Sequence, residues 1–126
     1  MDLTHLIPKH KFDEETVELL YGHSFEELEP IIDDLLEWLQ DGNWPVSRPL
    51  HQFLLTLPAD KLGPHLMNIL DGTDYEWKYF LIGFLGEKSS GVKYEPFIQE
   101  IKRIAENPTE IERACELDEV AQFALE

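Results

Sequence analysis

Between Leu28 and Leu39 the apolar residues Leu28, Ile31, Ile32, Leu35, Leu36 and Leu39 follow one another at three- and four-residue steps. That spacing lines them up on one face of an α-helix and turns Asp33, Asp34 and Glu37 away from it. Pro30 suits the first turn of such a helix, where a backbone N–H has no intrahelical partner. Asp41-Gly42 closes it with a residue free to take a left-handed backbone. Upstream, "DEETVELLYG" reads as a short first helix capped by Asp13, and "SFEE" offers Ser24 and Glu27 as a reciprocal capping pair.

The same grammar continues downstream. A helix from about Pro45 or Ser47 to Leu57 puts Val46, Leu50, Phe53, Leu54 and Leu57 on one face. Pro49 argues for a start near Ser47 or an irregular first turn. In "LGPHLMNILDG", Pro64 marks a helix start and Asp71-Gly72 a second stop, and Thr73 with Glu76 forms another capping pair. The helix that follows, "DYEWKYFLIGFLG", is apolar nearly all round, so it is expected at the centre, with Gly83 and Gly86 letting its neighbours come close. "EKSSGVK" is a loop. "YEPFIQEIKRIAENP" is a helix opened by Pro96, and a last helix begins at Thr109 with Glu112 as its capping partner. No stretch alternates as a strand would, which predicts an all-α fold of about seven helices.

Three of these segments share a pattern. "LEPIIDDLL" at 28–36, "LGPHLMNIL" at 62–70 and "YEPFIQEIK" at 94–102 recur at steps of 34 and 32 residues, and Trp44 and Trp77 follow two Asp-Gly turns. Helix pairs at such a period are the mark of α-solenoids, in which each pair packs mainly on its neighbours. "LQDGNWPVSRPL" resembles the segment between the two helices of a HEAT repeat, with Asp41, Trp44, Val46 and Arg48 at the matching positions. The second copy has Lys78 but no Val-Arg pair, and the third is weaker. This resemblance implies antiparallel helix pairs stacked as a short right-handed α-α superhelix of the HEAT/ARM kind. A single domain would then comprise an N-terminal cap (1–27) and repeats at 28–57, 58–87 and 92–126. As a whole the chain is similar to a group of short, uncharacterised bacterial proteins classed as a domain of unknown function. "LIPKHKFD", "LLEWLQDGNWPV", "WKYFLI" and "ELDEVAQ" carry that likeness, which implies size and fold but no activity.

Charge narrows the partners. The 126 residues carry a net charge of −16, unevenly placed. Eleven acidic residues and no Lys or Arg lie between Asp13 and Asp41, whereas residues 42–105 hold seven of each sign. Such a field repels phosphate backbones and anionic lipid, which argues against nucleic acid and membrane surfaces and for another protein with a basic surface. No apolar run approaches the length of a membrane span or the core of a signal peptide, and Cys115 is the only cysteine; together these suggest a cytoplasmic protein. Cys115 lies on an apolar helical face and reads as buried filler.

Motifs for chemistry are sparse. His5, His10, His23, His51 and His65 show no His-x-x-x-His or Glu-x-x-His spacing, so no metal site or other cofactor is expected. Asp33 with Glu37, and Glu112 with Glu116 and Glu119, place carboxylates one turn apart, most simply on solvated faces. "GEKSSG" lacks the spacing of a phosphate-binding loop, and Ser89, Ser90 and Cys115 have no His and Asp beside them in sequence. Recognition by surface remains: a non-enzymatic protein-binding module, with immunity or antitoxin-like masking of a basic partner as the analogy. Trp44 and Trp77 stand at helix corners, first as brackets, and with Arg48, His51, Gln52, Lys78, Tyr79, Arg113 and Glu116 they form the candidate contact set. The competing readings are a small-molecule or enzyme pocket near Trp44, Trp77 and His51, and a homodimer whose acidity serves solubility.

Overall fold

A computed structural model describes residues 2–126, and the described residues contain helices and no strands. After a 3-10 turn at Thr4–Leu6 come α1 (Glu14–Leu20), α2 (Phe25–Leu28), α3 (Ile32–Leu36), α4 (Ser47–Leu54), α5 (Ala59–Leu70), α6 (Tyr75–Leu85), α7 (Glu95–Glu106), α8 (Glu110–Ala114) and α9 (Leu117–Ala124). Two further 3-10 turns, Glu29–Ile31 and Glu37–Leu39, flank α3. The all-α expectation therefore holds, while the stretch from 28 to 39 is divided into three short pieces. Its apolar stripe works as the periodicity required, since Ile31, Ile32, Leu35, Leu36 and Leu39 are all buried in one cluster that runs from Leu6 to Ala124.

The local capping chemistry is mostly as expected. Asp13 accepts from the Thr16 N–H at the start of α1, and Ser24 with Glu27 and Thr109 with Glu112 close full capping boxes. At α6, however, the cap is Asp74, which accepts from the Trp77 N–H at 3.0 Å, and not the Thr73–Glu76 pair. An Asp carboxylate next to the first turn outcompetes a hydroxyl one residue further out.

Three expectations are corrected by packing that local pattern does not encode. Pro64 lies inside α5, which begins five residues earlier at Ala59. The missing Pro N–H deprives only the carbonyl of Asp60, at the exposed first turn, where water can replace it. At the neighbouring Gly63 the Tyr94 ring occupies the space any Cβ would need, which accounts for the glycine there. The segment 62–70 is thus not a helix start equivalent to 94–102. Second, the final helix is broken at Glu116, whose φ of 62° is the one left-handed non-glycine position among the described residues. Cys115 sits at that break and is exposed, not buried filler. Third, Gly42 keeps an ordinary φ; its lack of a side chain admits the Phe80 ring.

The helix α6 is central, as its all-round apolarity implied: it packs against α4, α5, α9 and the 3-10 turn at Glu37–Leu39. Gly86 at its end lies where a Cβ would meet Ile101 at 2.7 Å, so it does permit close approach, whereas Gly83 is exposed. Partner helices α7 and α9 make the most extensive contact, and α5 also rests on α7. Between α7 and α8 the Arg103 guanidinium forks onto Glu112 with bonds of 2.7 and 2.6 Å and reaches Glu100 at 3.0 and 3.2 Å. Glu112, expected on a solvated face, is only 6% exposed. The Arg103 guanidinium, then the Thr109 backbone, hold its carboxyl down at about 2 against the opposing effect of burial.

Candidate functional site: an acidic groove walled by tryptophans

The turn between the Glu37–Leu39 segment and α4 is held by short-range polar contacts. The Asn43 N–H donates to the Asp41 side chain at 2.8 Å and the Trp44 N–H to the Asp41 carbonyl at 3.1 Å. Beneath it, the fully buried Ser47 hydroxyl lies 2.8 Å from the Trp38 carbonyl and 2.9 Å from that of Asp41, and donates between them. This ties both ends of the turn to the first turn of α4. Trp38 and Trp44 then meet edge to face, with ring centroids 5.5 Å apart at 63°. Such pairs contribute roughly 0.5–1.5 kcal/mol beyond the area they bury. Across the way, Trp77 in α6 donates its indole N–H to the Leu36 carbonyl at 3.1 Å, pinning α6 to the end of α3.

All three indoles are half-buried, so each is both bracket and wall. Around them lie three adjoining hollows of about 320, 200 and 360 Å³. The first is lined by Asp34, Glu37, Trp38, Gln40 and Trp44 with Ile7 and Pro8; the second by Gln40, Asp41, Trp44, Asp74 and Glu76. The third contains Asp33, Glu37, His65, Asp74 and Trp77. Glu37, Gln40, Trp44 and Asp74 each line two of the three, which makes them one continuous groove. Six carboxylates border it, and no Lys or Arg is among its lining residues. At its edge the His65 Nδ1 lies 2.9 Å from Asp33.

Of the nine candidate contact residues, only Trp44 and Trp77 belong to this groove. Arg48 and Gln52 are exposed on α4, and His51 between them stacks on Phe84 at 4.5 Å, outside the hollows that hold the indoles. Burial pushes the His51 imidazole below its ordinary range, so it is neutral at pH 7. Lys78 is the clear misplacement: it is 5% exposed, with its ammonium 4.3 Å above the Tyr75 ring. On a helix buried on several sides, a long side chain is used as packing and cannot serve as a contact. Tyr79 and Glu116 come together with Cys115 in a separate shallow hollow, and Arg113 is exposed at the end of α8.

Sequence reasoning missed Trp38, Asp34 and Glu37 as site residues. Trp38 does carry a readable signal, because it lies three residues after Leu35 and seven after Ile31, at the edge of the apolar stripe next to Asp34, where an aromatic can pack on the core and still wall a surface groove. Among the described residues no group of three or more His, Cys, Asp or Glu side chains is placed to hold a metal ion, and no helix is long and apolar enough to cross a membrane.

A family model described as a domain of unknown function, DUF5071, matches residues 6–125, and the chain belongs to that family. No curated protein matches it.

Proposed function

We propose that this member of the DUF5071 family is a non-enzymatic binding module whose tryptophan-walled groove takes a basic segment of another protein. The observation that carries the reading is the composition of the groove: six carboxylates, three indoles and no Lys or Arg among its lining residues. Carboxylates pair with Lys and Arg side chains, and indole faces attract the same cations with roughly 0.5–2 kcal/mol each. A basic segment therefore satisfies both features of the groove at once, which neither nucleic acid nor anionic lipid does. Masking of a basic protein surface, as an immunity or antitoxin-like protein does, is the role this chemistry fits. A cytoplasmic setting accords with the single cysteine.

The contacts of α4 with α6, α6 with α9 and α5 with α7 support reading the helices as stacked antiparallel pairs of a short HEAT-like superhelix, in which successive pairs present a continuous face. The break of α3 into short pieces and the run of α5 through Pro64 set it apart from a regular array.

All three tryptophans of the chain lie in the groove, so indole fluorescence, excited selectively over the four tyrosines, reports on that site. Titration with an Arg- and Lys-rich peptide should shift the emission saturably, and affinity should fall by at least about tenfold between low and high salt, as screening shortens the Debye length from ~30 to ~3 Å. A Glu-rich peptide of the same length that bound equally well would sink the proposal.

A further inference from the structure

At the opposite end of α6 the polarity reverses. A hollow of about 370 Å³ is lined there by Lys88, Lys93 and Lys102, three of the ten Lys and Arg residues in the chain. None of the three forms an ion pair among the described residues, whereas Lys61 is bound to Glu26 and Arg103 to Glu100 and Glu112. Buried Val92 and Ile101 contribute to the lining, and Leu125 closes one side. The volume falls within the ~300–1,000 Å³ usual for small-molecule sites.

The rim is held in place. The Lys88 N–H donates to the Ala124 carbonyl at 2.8 Å, and the Val92 N–H to the Leu85 carbonyl at 2.7 Å. Gly91 is wound so tightly that a Cβ would collide with the carbonyl oxygens of Leu85 and Glu87. The Lys93 ammonium donates to the Lys88 carbonyl, which fixes its stem while leaving further N–H bonds to offer. Two lysines near the last turn of α6 are what the negative end of a helix attracts in any case. Lys102 is not so explained: it comes from within α7, and its convergence on the same hollow brings cations from two separate elements together.

The lining also fixes the ligand charge. Glu87 and Glu106 belong to it, with the Glu87 carboxylate taken up by the Ser90 hydroxyl at 2.6 Å. Three ammonium groups against two carboxylates suit a single negative charge and disfavour a polyanion. We propose that this pocket binds a small monocarboxylate with an apolar body, of the medium-chain fatty acid class, its chain over Val92, Ile101 and Leu125 and its carboxylate at the lysines. The site is independent of the acidic groove.

The test is an amide-resolved NMR titration of the full chain with octanoate, octan-1-ol and inorganic phosphate at fixed ionic strength. Octanoate should shift the amides of Lys88, Lys93, Lys102 and Leu125 saturably, with octan-1-ol and phosphate each at least about tenfold weaker. Lys88→Ala combined with Lys102→Ala, whose side chains make no hydrogen bond or ion pair among the described residues, should weaken octanoate by about tenfold without changing the thermal midpoint, and Lys102→Glu serves if that variant is unstable. Octanol binding as tightly as octanoate overturns the proposal, because the charge is then not read. Phosphate binding as tightly overturns it too, because the apolar body is then not read, as do shifts centred elsewhere or octanoate affinity unchanged in the lysine variants.

Discussion

The two ends of α6 face opposite chemical worlds. Over the 11 residues of one helix, ~16 Å in length, the surroundings pass from an open groove of carboxylates and indoles to an aliphatic pocket edged by lysines. The macrodipole of α6 favours this order of signs, but its reach ends within the first and last turns. Asp33, Asp34 and Glu37 come to the groove from the α3 segment and Lys102 to the pocket from α7. Each end thus gathers more charge than capping one helix requires. The walls differ as well: the groove is built on short helical pieces and a turn, the pocket on the long α7 and the end of α9.

The largest effect should come from breaking the ion pair that ties α7, one wall of the pocket, to α8. Glu112→Gln removes a buried carboxylate held by Arg103, and the fall of its pKa from 4.5 to about 2 marks a strong preference for the charged form. Because the folded-state value is depressed, the stabilisation is present at and above pH ~4.5 and is lost as pH falls toward ~2. Chemical denaturation at pH 7 should show a loss of about 2–3 kcal/mol in Glu112→Gln, with a flattened dependence between pH 4.5 and 2. Asp34→Asn, at an exposed carboxylate of the groove, should change stability at pH 7 by no more than about 0.5 kcal/mol. If the two variants behave alike, the contrast between a locked and an open side is wrong.

A smaller loss, felt in binding as well as in folding, is expected from Trp44→Ala. Its edge contact with Trp38 disappears together with the area that the half-buried indole covers, which should lower stability by about 2 kcal/mol. One wall shared by two hollows goes with it, and affinity for a basic peptide should drop by at least tenfold, about 1.4 kcal/mol or more. Trp44→Phe should restore folding and part of the binding. Unchanged peptide affinity in Trp44→Ala, measured by calorimetry, would reduce Trp44 to a bracket alone.

These contrasts divide along the range of the interactions that make them. The stripe from Leu28 to Leu39 and the caps at Asp13, Ser24 and Thr109 were legible because their partners lie three or four residues away. Pro64 was misread because the one hydrogen bond it removes falls on the Asp60 carbonyl in an exposed first turn, where water replaces it and the helix need not begin at the proline. Glu112 looked solvated until Arg103 was placed beside it from another helix. The two tryptophans after Asp-Gly turns did mark the groove, yet its acidic wall and the lysine pocket needed helices far apart in sequence to be brought together. Trp38 was the one missed member visible in pattern alone, as an aromatic at the edge of its stripe, three residues after Leu35 and seven after Ile31.

The smallest effect is the sharpest test of why the groove is acidic. Glu37 lines two of the hollows, is exposed, and follows Asp33 and Asp34 by four and three residues with no ion pair of its own among the described residues. Like charges at those spacings destabilise a helical segment by about 0.2–0.5 kcal/mol per pair. Glu37→Gln should therefore raise stability by about 0.5 kcal/mol, a shift of roughly 1–3 °C in thermal midpoint, while weakening a basic peptide several-fold. Opposite signs in the two measurements mean that the carboxylate is kept for a partner at the expense of the fold, which is how binding residues differ from packing residues. If stability rises and peptide affinity stays the same, Glu37 serves solvation alone and the basic segment reads the groove through its indoles.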